Sequence, residues 1–192
     1  MVAMKQLLVW LRRCKYSRGF GVQSPWAYRF VRYVINEHAP YYAYDELAEA
    51  SCNHDARWQK LCRLYFRLAN YLRAEDWLVC SPNAFMYVDY IKRGSHKCEV
   101  RYIHDLEDIQ SSMDVASIAL EGSYEPLCER LLEMSKSDGM LILEGIHQNK
   151  TTLAFWREIV KDYRVGVTFD LYDCGILFFD KKHYKKNYII NF

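Results

Sequence analysis

The sequence predicts an α/β fold, a mostly parallel sheet ending in an antiparallel hairpin and preceded by N-terminal helices. Two observations predict it. Short apolar runs, Trp77 to Cys80, Val115 to Leu120 and Met140 to Leu143, alternate with stretches of helical periodicity, and strands buried on both faces read as such runs. At the end, Val165 to Leu171 and Cys174 to Phe179 flank Tyr172 and Asp173, the pattern of a hairpin.

The elements follow in order. Met1 to Arg13 is helical, with Leu7, Leu8 and Leu11 on one side. A glycine-containing loop then leads to Ser24 and Pro25, an N-cap and first-turn pair that starts a helix running to about His38. Pro40 to Tyr44 interrupts. The next helix, about Asp55 to Leu72, carries the apolar stripe Trp58, Leu61, Cys62, Tyr65, Phe66 and Ala69, with Arg57, Lys60, Arg63 and Arg67 on other faces. After the first strand a helix runs from about Ala84 to Gly94, and Glu99 to Ile103 forms the second strand. Only Leu106 to Ser112 then precedes the third strand at Val115, too little for an ordinary helical crossover, so the sheet is shortened in its middle. Helices are predicted at Tyr124 to Met134 and Thr151 to Tyr163, and a turn at Lys136 to Gly139. The tail from Lys181 is basic and then β-prone at Tyr188 to Ile190. The division is one domain over 1–192: a helical segment 1–73, an α/β core 74–180 and a tail 181–192.

Composition excludes several classes. With 51% hydrophobic and 26% charged residues the 192-residue chain is globular, with a full core. A net charge of +2 gives no general field for nucleic acid or an anionic membrane. No run is long enough to span a bilayer. The seven cysteines are an odd number without a C-x-x-C pair, which reads as reduced thiols in the cytoplasm. Cys52, His54 and Cys62 match no metal-ligand spacing, and a Cys80–His104 nucleophilic pair is less favoured than a buried thiol. Sixteen tyrosines put apolar rings inside whose hydroxyls need partners. Exposed tyrosines and the hairpin edge allow a homodimer, and the small-molecule or protein partner is not identified.

The stretch that organises the chain is Trp77 to Ile91, a buried strand turning into a helix at Ser81, Pro82, Asn83, Ala84 and Phe85. Such a turn is where open α/β sheets bind nucleotide-type cofactors, through free N–H groups at the helix start. The turn has no glycine to let a ligand reach the backbone, and Phe85 is expected to fill the volume of an adenosyl group.

Three stretches resemble a known family: Ser24 to Phe30 (SPWAYRF), Glu144 to His147 (EGIH) followed by Trp156, and Phe169 to Phe179 (FDLYDCGILFF). They are similar to a small bacterial, O-methyltransferase-like branch of the class I S-adenosylmethionine-dependent methyltransferases. The resemblance implies a Rossmann-like sheet and S-adenosylmethionine as cofactor. It places the family's acidic, glycine-containing loop on Val79, Ser81 and Phe85, so the carboxylate and both glycines are replaced. It further implies Ser81, Asn83, His104, Asp105 and Glu121 as cofactor-binding positions, with Glu144 and His147 as catalytic candidates and His147 the base. Glu121, Glu144 and His147 together have the chemistry to hold a divalent metal, although no metal is assigned. The missing middle of the sheet removes the family's adenine contact. The expectation is a degenerate homologue acting as a binding or interaction module; the alternative is an active O-methyltransferase on a small hydroxyl acceptor.

Overall fold

A computed structural model describes residues 2–16, 19–50 and 55–192. The Cys52 and His54 of the metal question lie outside them. Helix α1 (Val2–Arg13) is followed by α2 (Pro25–Phe30), whose first turn is capped by the Ser24 hydroxyl accepting from the Ala27 N–H at 3.3 Å. The chain continues as a π-helical turn, Val31–Ile35, that brings Val31, Val34 and Ile35 into the core. Helix α3 (Ala43–Ala50) occupies part of what the sequence leaves as an interruption, and its first turn carries Asp45 and Glu46, which suit the positive end of a helix. Helix α4 (Ala56–Leu72) starts at an Asp55 cap and ends at Arg73, which takes the left-handed conformation (φ 51°).

Strands β1 (Asp76–Cys80), β2 (Glu99–Tyr102), β3 (Met113–Ala119) and β4 (Ser135–Glu144) are parallel, with β1 between β2 and β3. The tight β2–β3 link therefore passes over β1 instead of joining neighbours. It holds only a single 3-10 turn at Leu106–Asp108. The predicted turn at Lys136 to Gly139 is instead the irregular start of β4, where the β3 register shifts between Met113 and Val115. Helix α5 (Val88–Gly94) follows β1, and α6 (Tyr124–Met134) and α7 (Lys150–Ile159) flank β4.

The hairpin of β5 (Val167–Asp170) and β6 (Cys174–Phe178) adds the antiparallel part, β6 pairing with β4. The β-prone tail becomes β7 (Lys186–Ile189), parallel to β5 at the sheet's edge. The seven-stranded order is β2-β1-β3-β4-β6-β5-β7.

Alternation along the strands fills two cores. Trp77, Val79, Ile142 and Ile176 face α2, α4 and α5, while Leu78, Leu141, Leu143 and Leu177 face α6 and α7. Layers of helix on both faces are the arrangement that buries such a sheet. Among the described residues no helix is long and apolar enough to cross a membrane.

The hairpin glycine is dictated by packing. A Cβ on Gly175 would lie 2.4 Å from the Trp156 ring of α7, well inside contact distance. Gly175→Ala is expected to lower stability by about 1–3 kcal/mol through overpacking, measured as a shift in the urea midpoint at constant slope.

Candidate functional site

Open α/β sheets place sites at the C-terminal ends of their strands, and two of the residues predicted from sequence, Ser81 and Glu144, meet there. Glu144, the last residue of β4, is buried. Its Oε1 accepts from the Tyr65 hydroxyl of α4 at 2.6 Å and from the Tyr87 hydroxyl at 2.9 Å, and its Oε2 accepts from the Ser81 hydroxyl at 3.1 Å. Burial pushes the Glu144 carboxyl above its ordinary range, and the three hydroxyls pull it back only in part. The same burial, reinforced by the Glu144 charge, raises the Tyr65 and Tyr87 phenols, so both remain donors. Tyr65 reads in the sequence as core stripe, and neither tyrosine is predicted as a site residue. The signal available was the general need of a buried tyrosine for a partner.

The turn after β1 is closed on itself. Pro82 has no N–H, and the N–H groups of Asn83, Ala84, Met86 and Tyr87 donate to the Ser81 hydroxyl, Ser81 O, Asn83 O and Ala84 O at 3.0–3.3 Å. The expected role of Phe85 is corrected: its ring is 67% exposed and fills nothing. The segment is a 3-10 turn, Ala84–Met86, before α5 begins, and this geometry turns residue 85 outward while Ala84 and Tyr87 go in.

At the end of β2 the polar groups are also engaged locally. The N–H groups of His104 and Asp105 donate to Asp108 Oδ2 at 2.7 and 3.2 Å, and Asp105 Oδ1 accepts from Glu107 N–H at 2.9 Å. These backbone donors hold the exposed Asp108 carboxyl below its usual range. The His104 and Asp105 side chains are exposed. Cys80 is half-buried and its thiol is raised by burial and then by Glu144, the opposite of an activated nucleophile. Glu121 lies apart from Glu144's hydroxyl partners, on a shallow cleft of about 380 Å³ with Gln148, Asn149 and Thr152.

His147 belongs to a different cluster. Asp170, at the end of β5, receives Arg13 Nη2 on Oδ1 at 2.8 Å and contacts His147 Nε2 through Oδ2 at 2.9 Å. Arg13 Nη2 is also 3.2 Å from His147 Nε2. One nitrogen cannot serve both, and the carboxylate contact is shorter and favourable in charge, so Nε2–H donates to Asp170. Arg13 Nη1 donates to the carbonyls of Asp170 and Ile190 at 3.1 and 3.3 Å. Tyr172, held in the left-handed conformation (φ 75°), stacks on the His147 ring at 4.7 Å and lies under the Arg13 guanidinium at 5.1 Å. Burial alone would raise the Asp170 carboxyl, but His147 and Arg13 outweigh it and hold it low. Arg13, Asp170 and Tyr172 were not read as site residues, because nothing in the sequence links positions 157 apart. Among the described residues, Glu144 and His147 share no hydrogen-bond partner, and no group of three or more His, Cys, Asp and Glu side chains is placed to hold a metal.

No protein-family model matches the sequence, and no curated protein matches it significantly. Solved structures do match. A SAH-bound methyltransferase from Podospora anserina superposes with a TM-score of 0.56 at 12% identity, covering 81% of this chain and 96% of its own. An O-methyltransferase from Bacillus cereus, in complex with SAH, gives 0.51 at 13% identity over 76% and 94%. A proposed O-methyltransferase from Klebsiella pneumoniae gives 0.52 at 10% identity over 88% and 99%. The fold is a methyltransferase fold. Measured against an adenosyl cofactor, the β1 turn fits poorly: the amides of Asn83, Ala84, Met86 and Tyr87 donate within the turn, Pro82 has none, Val79 is a buried strand residue, and Asp105 caps its own turn.

Two outcomes test the site's architecture. Tyr87→Phe removes a donor from a buried carboxylate and is expected to cost about 1.5–3 kcal/mol, read by chemical denaturation. Arg13→Ala leaves Asp170 with one cation fewer and is expected to cost about 3–5 kcal/mol. Because the folded Asp170 carboxyl is depressed, its contribution is present above the unfolded value of about 3.9 and lost as pH falls through the folded value. Stability profiles of wild type and Arg13→Ala should therefore converge in acid.

Proposed function

We propose that this chain is a degenerate methyltransferase-fold protein that binds S-adenosylmethionine weakly or not at all and serves as a binding or interaction module. The observation that carries the reading is the β1 turn, four of whose backbone donors are spent on the turn itself while Pro82 has none to offer. A cofactor gripped by main-chain amides needs those groups free and a glycine-like approach. Glu144 supports the same reading, since a buried carboxylate engaged by three hydroxyl donors from the protein is poorly placed to contact a ligand. His147, with Nε2 committed to Asp170, acts in this reading as part of a structural clasp.

A second reading, O-methyl transfer to a small hydroxyl acceptor, draws on the cleft bordered by Glu121 and Gln148 at the ends of β3 and β4. Isothermal titration with S-adenosylmethionine and SAH decides between them. No binding tighter than about 1 mM is expected; micromolar binding of either compound would falsify the proposal and return Glu121 to a ligand role.

A further inference from the structure

A larger concavity lies on the helical side of the molecule, an open cavity of about 810 Å³ between the residues after the π-helical turn, α4 and the C-terminal Asn191 and Phe192. Its size falls in the range of small-molecule sites. Lys60, Arg63 and Arg67 recur on α4 at three- and four-residue spacing, so they share the face that lines it. Their circumstances differ. Arg67 is buried and fully occupied, with Nε donating to Val34 O at 2.5 Å, Nη2 to Ile35 O at 3.0 Å and Nη1 to the Tyr44 hydroxyl at 3.2 Å.

Arg63 and Lys60 lack such partners among the described residues. The Arg63 guanidinium lies 5.0 Å from the Tyr44 ring centroid, and its Nε is buried without a hydrogen bond. The Lys60 ammonium sits 4.1 Å from the Phe192 ring centroid, with no ion pair among the described residues. A third lining residue, Asn36, also has a buried, unpartnered donor, Nδ2. Buried polar groups are nearly always paired, and these two orphaned donors belong to residues of one cavity wall. The cavity's acidic residues do not pair with them: Glu37 accepts from the Ala39 N–H at 2.7 Å, and Asp45 is exposed at the start of α3. Trp10, Tyr44 and Phe192 add aromatic surface beside the two cations.

We propose that this cavity binds a small organic anion, its carboxylate or phosphate oxygens held by Lys60 and Arg63 and its apolar part against Trp10, Tyr44 and Phe192. Guanidinium and ammonium groups recognise both kinds of oxyanion. The site deepens the binding-module reading by naming a ligand class, yet it shares no residue with the β1 turn.

The test is isothermal titration of the full chain at low salt with phenyl phosphate, benzoate and neutral benzamide, without S-adenosylmethionine. Phenyl phosphate or benzoate is expected to bind at about 1 mM or tighter, with benzamide much weaker and added salt weakening the anion. The tighter of the two anions assigns the ligand as phosphoryl or carboxylate. Arg63→Gln and Lys60→Gln are each expected to weaken binding about tenfold or more, with circular dichroism checking that both variants are folded. If neither anion binds, if benzamide binds equally well, or if both folded variants retain wild-type affinity, the site is refuted. Such a failure leaves the reading of the β1 turn standing, because cofactor titration alone addresses that.

Discussion

A buried carboxylate that cannot afford to lose its donors governs the C-terminal edge of this sheet. Taking an ionised glutamate out of water is costly unless hydrogen bonds replace its hydration, and Glu144 obtains three from separate elements: Tyr65 on α4, Ser81 at the exit of β1 and Tyr87 before α5. Each donor is thereby fixed in position. Ser81 and Tyr87 thereby tie the β1 turn to the end of β4. The turn carries no glycine, and the carboxylate beside it is engaged by the tyrosines and the serine around it.

A second buried acid, Asp170, has the same problem and a different solution. Full charges from Arg13, with the His147 N–H, hold it below its ordinary range, and Tyr172 stacks over both partners. Two acids near one another in the fold thus serve as structural junctions, one satisfied by neutral hydroxyls and one by an ion pair. On α4, Arg67 is absorbed by carbonyls and the Tyr44 hydroxyl, while among the described residues Lys60 and Arg63 make no ion pair.

Much of the fold was legible because it is written in local patterns. The apolar runs at Trp77, Val115 and Met140, the Ser24–Pro25 helix start and the hairpin around Tyr172 each state their geometry within a few residues. The β-prone tail announced β7 without revealing its partner, since pairing Phe169 with Tyr188 is a long-range event. The site was less legible. Glu144 and His147 could be placed at strand ends by register, but their partners Tyr65, Tyr87, Arg13 and Asp170 come from elements far away in sequence. Phe85 was misread because a helix starting at Ala84 and a 3-10 turn there point residue 85 in different directions.

The Arg13 clasp has a consequence for how the molecule is made. Its contacts to Asp170 and to the Ile190 carbonyl span 157 and 177 residues, among the most distant closures a chain of this size offers, and such closures form late because loop entropy opposes them. During synthesis the first helix must therefore wait, its guanidinium hydrated, until the final parallel strand has emerged and docked. The clasp closes only on a sheet in which β7 already lies beside β5.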